Sequence, residues 1–146
     1  MKKKTVLAFG TFDLLHPGHI SYLTQARALG KRLVVIIATD KNVWSIKGKT
    51  AINSQNARKE LVEALRAVDK AIIGFEDDMI KSVEKAKPDI IALGYDQGPS
   101  DAELAKKLAA RKIRAKIVRL KPHNPEKYKS SKIRERIAGA SLKKSL

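Results

Sequence analysis

Five short apolar runs punctuate this chain, separated by segments whose apolar residues recur at helical spacing. Thr5-Val6-Leu7-Ala8 reads as a first buried strand. Leu33-Val34-Val35-Ile36-Ile37-Ala38 reads as a second, since an unbroken β-branched run marks a strand covered on both faces. Ala71-Ile72-Ile73, Asp89 to Gly94 and Ala115 to Leu120 supply three more, the last alternating in character and so nearer an edge. Ile20, Leu23, Ala26 and Leu29, with Tyr22 beside them, predict a helix over Gly18 to Leu29. Pro17 suits its first position and Gly30 its stop. Ala57, Leu61, Ala64, Leu65 and Val68 predict a second helix from Ser54. Asp77 and Asp78 open a third, with Ile80 and Val83 inward and Pro88 beyond its end. Ser100-Asp101-Ala102-Glu103 has the form of a capping box before Leu104 and Leu108. Ser130 or Ser131 caps a last helix with Ile133 and Ile137 facing in, and residues 139–146 read as a frayed tail. Thr39 to Ser54 reads as a polar loop carrying Lys41, Lys47 and Lys49 around Gly48, anchored by Trp44 and Ile46. Loops of that length in a compact domain are functional or mobile.

This alternation predicts an α/β fold: one doubly wound, Rossmann-like domain over residues 1–138, with about five parallel strands and helices on both faces. Such sheets bind ligands beyond the carboxyl ends of the strands, at the switch point flanked in the usual order by the first and fourth strands. The segments that follow those two strands are Gly10 to His19 and Tyr95-Asp96-Gln97.

Composition narrows the partner. Thirty-one Lys plus Arg against fifteen Asp plus Glu leaves a net charge of +16, which points to an anionic ligand: nucleic acid, a phosphorylated small molecule or an acidic membrane surface. The absence of cysteine excludes disulfides, thiolate chemistry and cysteine-built metal centres. Met1-Lys2-Lys3-Lys4 precedes only a strand-length apolar run, so no signal peptide is predicted, and no run reaches membrane-spanning length. A cytoplasmic protein of one domain is expected.

The candidate chemistry begins at Phe9-Gly10-Thr11-Phe12-Asp13-Leu14-Leu15-His16-Pro17-Gly18-His19. A strand, a glycine-bearing turn and a helix start present free N–H groups and two imidazoles to whatever lies beyond the strand, which suits phosphate. His16 and His19, three apart, point the same way. A zinc pair would need a third ligand, for which only Asp13 or the distant His123 is available, so no metal site is assigned. Two solvent-facing histidines on a helix remain the plain alternative. No G-x-G-x-x-G follows the first strand, which argues against hydride transfer. Tyr128-Lys129-Ser130-Ser131-Lys132-Ile133-Arg134 combines hydroxyls, a helix start and a guanidinium, all donors to anionic oxygens; an ordinary serine cap on a basic helix is its alternative.

Gly10-Thr11-Phe12-Asp13-Leu14-Leu15-His16-Pro17-Gly18-His19 resembles the signature of the nucleotidyltransferase superfamily that includes glycerol-3-phosphate cytidylyltransferase and phosphopantetheine adenylyltransferase. The second motif is similar to the Ser-Ser/Thr-x-x-Ile-Arg element of those enzymes. Members that use CTP carry Arg-Thr-x-Gly just before it; Asn124-Pro125-Glu126-Lys127 stands here, which leans toward ATP. Across most of the chain the resemblance is to the archaeal FAD synthase group, carried by Asp40-Lys41-Asn42-Val43, Ile46-Lys47-Gly48-Lys49, Val68-Asp69-Lys70-Ala71, Pro88 to Gln97 and Ser130 to Ile133. One departure is the lack of the cysteine pair that this group commonly has shortly before the serines.

The resemblance implies that Gly10, Thr11, Phe12, His16, Pro17, Gly18, His19, Asp96, Tyr128, Ser130 and Ser131 bind the nucleotide. It implies that Lys47, Lys49 and Arg58 hold the acceptor's phosphate, Lys49 being equally well read as part of a solvated lysine-rich surface. His16, His19, Lys47 and Arg134 are the catalytic candidates. The implied reaction is attack by a phosphate oxygen of FMN on the α-phosphorus of ATP, with Mg²⁺ or another divalent cation held mainly by the nucleotide phosphates. A homodimer is the usual state of relatives. Two rivals stand beside this reading. One is cytidylyl or adenylyl transfer to another phosphorylated alcohol, such as glycerol 3-phosphate. The other is a nucleic-acid-binding module built on Lys106, Lys107, Arg111, Lys112, Arg114, Lys116, Arg119 and Lys121, against which stand the few aromatic residues and the absence of a recognition motif.

Overall fold

Each apolar run becomes a strand, and the period of two within it decides which helix layer each side chain meets. The computed structural model describes residues 3–76, 78–123 and 130–145, with backbone alone at 130, 131 and 140–145. The strands are β1 (Thr5–Gly10), β2 (Arg32–Ile37), β3 (Lys70–Ile73), β4 (Ile90–Leu93) and β5 (Lys116–Arg119). They form one parallel sheet in the order β3-β2-β1-β4-β5. The helices are α1 (Pro17–Ala28), α2 (Asp40–Lys47), α3 (Gln55–Glu63), α4 (Met79–Ala86), α5 (Asp101–Ala110) and α6 (Ser130–Ser145).

Val6, Ala8, Leu33, Val35, Ile37 and Ala92 point to one face, where Leu23 and Ala26 of α1 and Val62 of α3 cover them. Leu7, Phe9, Val34, Ile36, Ile91 and Leu93 point to the other, under Ile80 and Val83 of α4 and Leu104 and Leu108 of α5. Both faces are therefore dry, which is why the runs are apolar without interruption. The expected α/β architecture is observed, with β5 at an edge and the switch point between β1 and β4.

Two expectations change. The segment after β2 is not a loop throughout: α2 occupies Asp40–Lys47, capped by the Thr39 hydroxyl, which accepts from Asn42 N at 3.1 Å. It ends at Gly48, whose φ of 67° suits a residue without a side chain. The last helix runs through Gly139 to Ser145, past the point where the sequence pattern ends the domain.

Candidate active site

The crevice exists because the β1–β4 ladder stops early. Its register runs Val6↔Ile90, Leu7↔Ile91 and Ala8↔Ala92. At the next residue the strands are bridged by a side chain: the Tyr22 hydroxyl of α1 donates to Ala92 O at 2.7 Å and accepts from Phe9 N at 3.3 Å. Gln97 completes the bridge, accepting from Gly94 N at 3.1 Å and donating to Phe9 O at 2.9 Å. Arg119 of β5 fixes the loop beyond by donating to the carbonyls of Gly94 (2.7 Å), Gln97 (2.5 Å) and Pro99 (3.3 Å). Asp96 is carried on that loop and is exposed at the crevice. Burial raises the Tyr22 pKa above its ordinary value, so its hydroxyl stays a neutral bridge.

On the β1 side the turn is shaped by Gly10 and Phe12. A Cβ at Gly10 would meet the Phe12 ring at 2.5 Å. The glycine thus lets the ring lie back over the strand end, and Phe12 takes a φ of 53° to put it there. With Phe12 only 3 % exposed, its ring is not available to a nucleotide. Its edge instead backs the His19 imidazole, centroids 5.2 Å apart, and its face lies 6.4 Å from Tyr22.

His16 and His19 build their own capping box. His16 Nδ1 accepts from Gly18 N at 3.1 Å, and His19 Nδ1 accepts from His16 N at 3.3 Å. The rings stack with centroids 3.8 Å apart. Since both Nδ1 atoms accept, a neutral ring must carry its proton on Nε2, and both Nε2–H groups are left as donors. Burial first, then the charges of His16 and Lys47, push His19 down to about 3; burial also lowers His16. Near neutral pH the pair is therefore two uncharged, oriented donors at a helix N-terminus.

This has a consequence for stability. An unfolded chain protonates His19 near its ordinary value of 6.5, whereas the folded protein refuses the proton until about pH 3. Stability therefore falls as pH drops from about 6.5 toward about 3. His19→Asn keeps an acceptor for His16 N but has no such titration. Urea midpoints at pH 7 and pH 4.5 should differ less in the variant than in the natural protein; equal differences would refute the assignment.

Asp13, 3 % exposed, is the hub that joins the remaining segments. Its carboxylate accepts from Ile52 N (2.9 Å), Asn53 N (2.8 Å) and the Arg134 guanidinium of α6, and its carbonyl accepts from Asn53 Nδ2 at 2.8 Å. Both carboxylate oxygens are thus engaged. No group of three metal-ligating side chains converges among the described residues, and His123 lies with His16 along a groove at the start of α1. Lys47, at the last turn of α2, reaches the same centre. Partial burial, then the nearby Arg134 guanidinium, push its ammonium below its ordinary pKa, while Asp13 works the other way.

Arg58 corrects one expectation. The resemblance places it at the acceptor's phosphate, yet it is 0 % exposed. Its guanidinium donates to Asn53 O (3.0 Å), Thr11 O (2.9 Å), Ala38 O (2.8 Å) and Asp40 Oδ1 (2.8 Å). It has no face left for a ligand and acts instead by tying the β1 turn, the end of β2, the start of α2 and the loop before α3 together.

The structure thus brings His16, Pro17, Gly18, His19, Lys47 and Arg134 to one rim, with Gly10, Thr11 and Phe12 forming its floor. Lys49 is exposed just beyond. Ser130 and Ser131 stand in the first turn of α6, and Tyr128 lies outside the described residues. Asp13, Tyr22, Gln97 and Arg119 also build the site, none of them being among the residues the resemblance implies. Asp13 and Gln97 lie inside the two motifs that flank the switch point; in the sequence Arg119 reads as one of the basic residues of the nucleic-acid alternative and Tyr22 as a neighbour of the helical stripe.

The family model described as cytidylyltransferase-like matches residues 7–136. Among curated relatives, the FAD synthase of Picrophilus torridus is 48% identical over 132 residues, covering 90% of this chain and 94% of its own. The FAD synthase of Ferroglobus placidus is 48% identical over 135 residues, covering 92% of this chain and 88% of its own. A crystal structure described as the lipopolysaccharide core biosynthesis protein of Thermoplasma volcanium matches with a TM-score of 0.81 and 45% identity, covering 84% of this chain and 100% of that one.

Proposed function

Starting from the family to which the chain belongs, the cytidylyltransferase-like nucleotidyltransferases and within them the FAD synthases, we propose that it transfers AMP from ATP to FMN, giving FAD and pyrophosphate. The observation that carries this reading is the histidine pair at the N-terminus of α1, uncharged and stacked, with both Nδ1 atoms taken by backbone N–H groups so that both Nε2–H groups remain donors. An FMN phosphate oxygen attacks the α-phosphorus, the bond to the bridging oxygen breaks, and pyrophosphate leaves with the electron pair. The attacking oxygen is already ionised at neutral pH, so no general base is needed. Catalysis then rests on alignment and on donors placed where charge builds on the α-phosphate and leaving group.

In this reading His16 and His19 donate to the triphosphate, with Gly18 N–H and the free N–H groups of α1 beside them. Ser130 and Ser131, in the first turn of α6, are assigned to the phosphates, and Asp96 accepts from the adenosine across the crevice. Lys47 and Lys49 take the FMN phosphate. Arg134, held ready by Asp13, bridges the two halves. A divalent cation supplies further charge neutralisation, and it travels with the triphosphate, since the Asp13 carboxylate is already committed to Ile52, Asn53 and Arg134. The surplus of basic residues steers two polyanionic substrates toward the rim. A cytoplasmic place and a homodimeric state accompany the reading.

The test offers the protein Mg²⁺, ATP or CTP, and FMN, glycerol 3-phosphate or phosphopantetheine, and measures pyrophosphate and FAD. FAD with stoichiometric pyrophosphate is expected from ATP and FMN alone. Pyrophosphate only with another acceptor would replace FMN. Steeply salt-dependent binding of an oligonucleotide without any turnover would favour the nucleic-acid module.

A further inference from the structure

Seven large apolar side chains are left exposed among the described residues, and three of them, Trp44, Ile46 and Ile52, fall within one nine-residue stretch. Trp44 is 57%, Ile46 82% and Ile52 63% exposed. Solvent-facing apolar groups scattered singly need no explanation, whereas a cluster beside a polar site does. This stretch follows β2 directly and so lies at the carboxyl rim of the sheet. Thr39 caps α2 at the strand's end. Ile52 N donates to Asp13 at 2.9 Å, and Asp13 also holds Arg134, so the Ile52 backbone lies beside the site while its side chain is left 63% exposed. Trp44 stands three residues before Lys47, which makes the two neighbours on the surface of α2. The electrostatic neighbours of Lys47 are Arg134, Asp13, Arg58 and Lys49, so the lysine end of this surface is turned toward the reacting phosphates.

We propose that Trp44 and Ile52 form the shelf on which the flavin ring system of FMN lies, with the ribityl phosphate reaching Lys47. The proposal rests on the AMP-transfer reading and assigns the acceptor's specificity to residues that reading leaves without a role. The chemistry matches at both ends. A flat, electron-poor heteroaromatic ring stacks on an indole face and covers apolar surface, and a dianionic phosphate meets a partly desolvated ammonium. A glycerol phosphate has nothing to lay on Trp44. Burying the indole under the ring removes apolar area that the fold leaves uncovered, and offset stacking of the two rings adds to that burial.

One other apolar recess could compete. It is a groove of about 680 Å³ along the start of α1, lined by Leu15, His16, Pro17, Ile20, Leu65 and His123 among others. It carries no lysine or arginine, and the His16 that lines it is already engaged with the triphosphate in the AMP-transfer reading. It serves as the control.

Because Trp44 is the chain's single tryptophan, it can be tested without interference. Green FMN emission is quenched when an indole stacks on the flavin, a contact effect. Wild-type protein should quench FMN emission on titration without ATP. Trp44→Leu should abolish the quench and raise the FMN KM about tenfold, with the ATP KM moving less than twofold. Trp44→Phe should recover most of the KM. Ile20→Ala, in the control groove, should leave the FMN KM within twofold. An unchanged FMN KM in Trp44→Leu, with FAD still made by wild type, overturns the shelf while leaving AMP transfer intact. So does a KM rise confined to Ile20→Ala. Failure of wild type to make FAD overturns both.

Discussion

His19→Ala lowers kcat by about 10²–10³-fold, the usual cost of removing one preorganised donor to developing charge, and changes the KM for ATP by less than about threefold. The asymmetry follows from the charge state. A protonated imidazole would attract the triphosphate in the ground state as strongly as in the transition state, and its loss would appear in binding. A neutral donor, kept so first by burial and also by the nearby Lys47 ammonium, gains most where charge is building. Alanine also removes the acceptor for His16 N, and loss of one capping contact costs about 1 kcal/mol of stability. His19→Asn separates the two effects, since its side-chain oxygen can take the place of Nδ1. Stability close to wild type with kcat still depressed is expected. Turnover in His19→Ala near the natural value would sink the assignment.

The same residue shows what the chain's pattern can and cannot convey. Histidines three apart after a strand and before an apolar stripe announce a helix start with two rings on one side. That these rings cap each other's backbone, and are thereby fixed with Nε2–H outward, depends on Nδ1 distances that no spacing encodes. The strands were legible because both faces of the sheet are covered, so the runs have no polar interruption. Helix α2 was not, because only Val43 on it is buried. It has no apolar stripe to read. Its existence rests on the Thr39 cap, on Gly48, and on tertiary bonds such as Asn42 Nδ2 to Phe75 O at 3.3 Å. Gly10 was legible as a turn, but its packing reason, the Phe12 ring, appears only once the turn has folded. Tyr22 likewise sits beside a helical stripe in the sequence and becomes the bridge between β1 and β4 only when the ladder ends at Ala8 and Ala92.

Arg58 was the least legible residue of all, and it carries the second large expectation. A cation with no exposed surface is costly to bury, and it is tolerated here because a carboxylate and three carbonyls surround it. Truncation reverses that balance. Arg58→Ala leaves the carbonyls of Thr11, Ala38 and Asn53 without this donor and empties a volume the size of a long side chain. Breaking such a buried charged network costs about 3–5 kcal/mol, and at about 2–4 °C per kcal/mol for a chain of this size Tm falls by about 6–20 °C. Arg58→Lys keeps the charge but offers one ammonium in place of a planar fork that reaches four acceptors. It should recover less than half of the lost Tm. A direct ligand to the acceptor's phosphate would behave otherwise: the alanine variant would melt within about 3 °C of wild type and lose only FMN affinity, and lysine would restore it. Thermal melts of the three proteins, followed by FMN and ATP KM at a temperature where all are folded, distinguish the two. Because Arg58 holds both the Thr11 turn and Asp40 at the start of α2, its removal should loosen the histidine side and the Lys47 side together. Both KM values are expected to rise, which a residue serving only the acceptor could not produce.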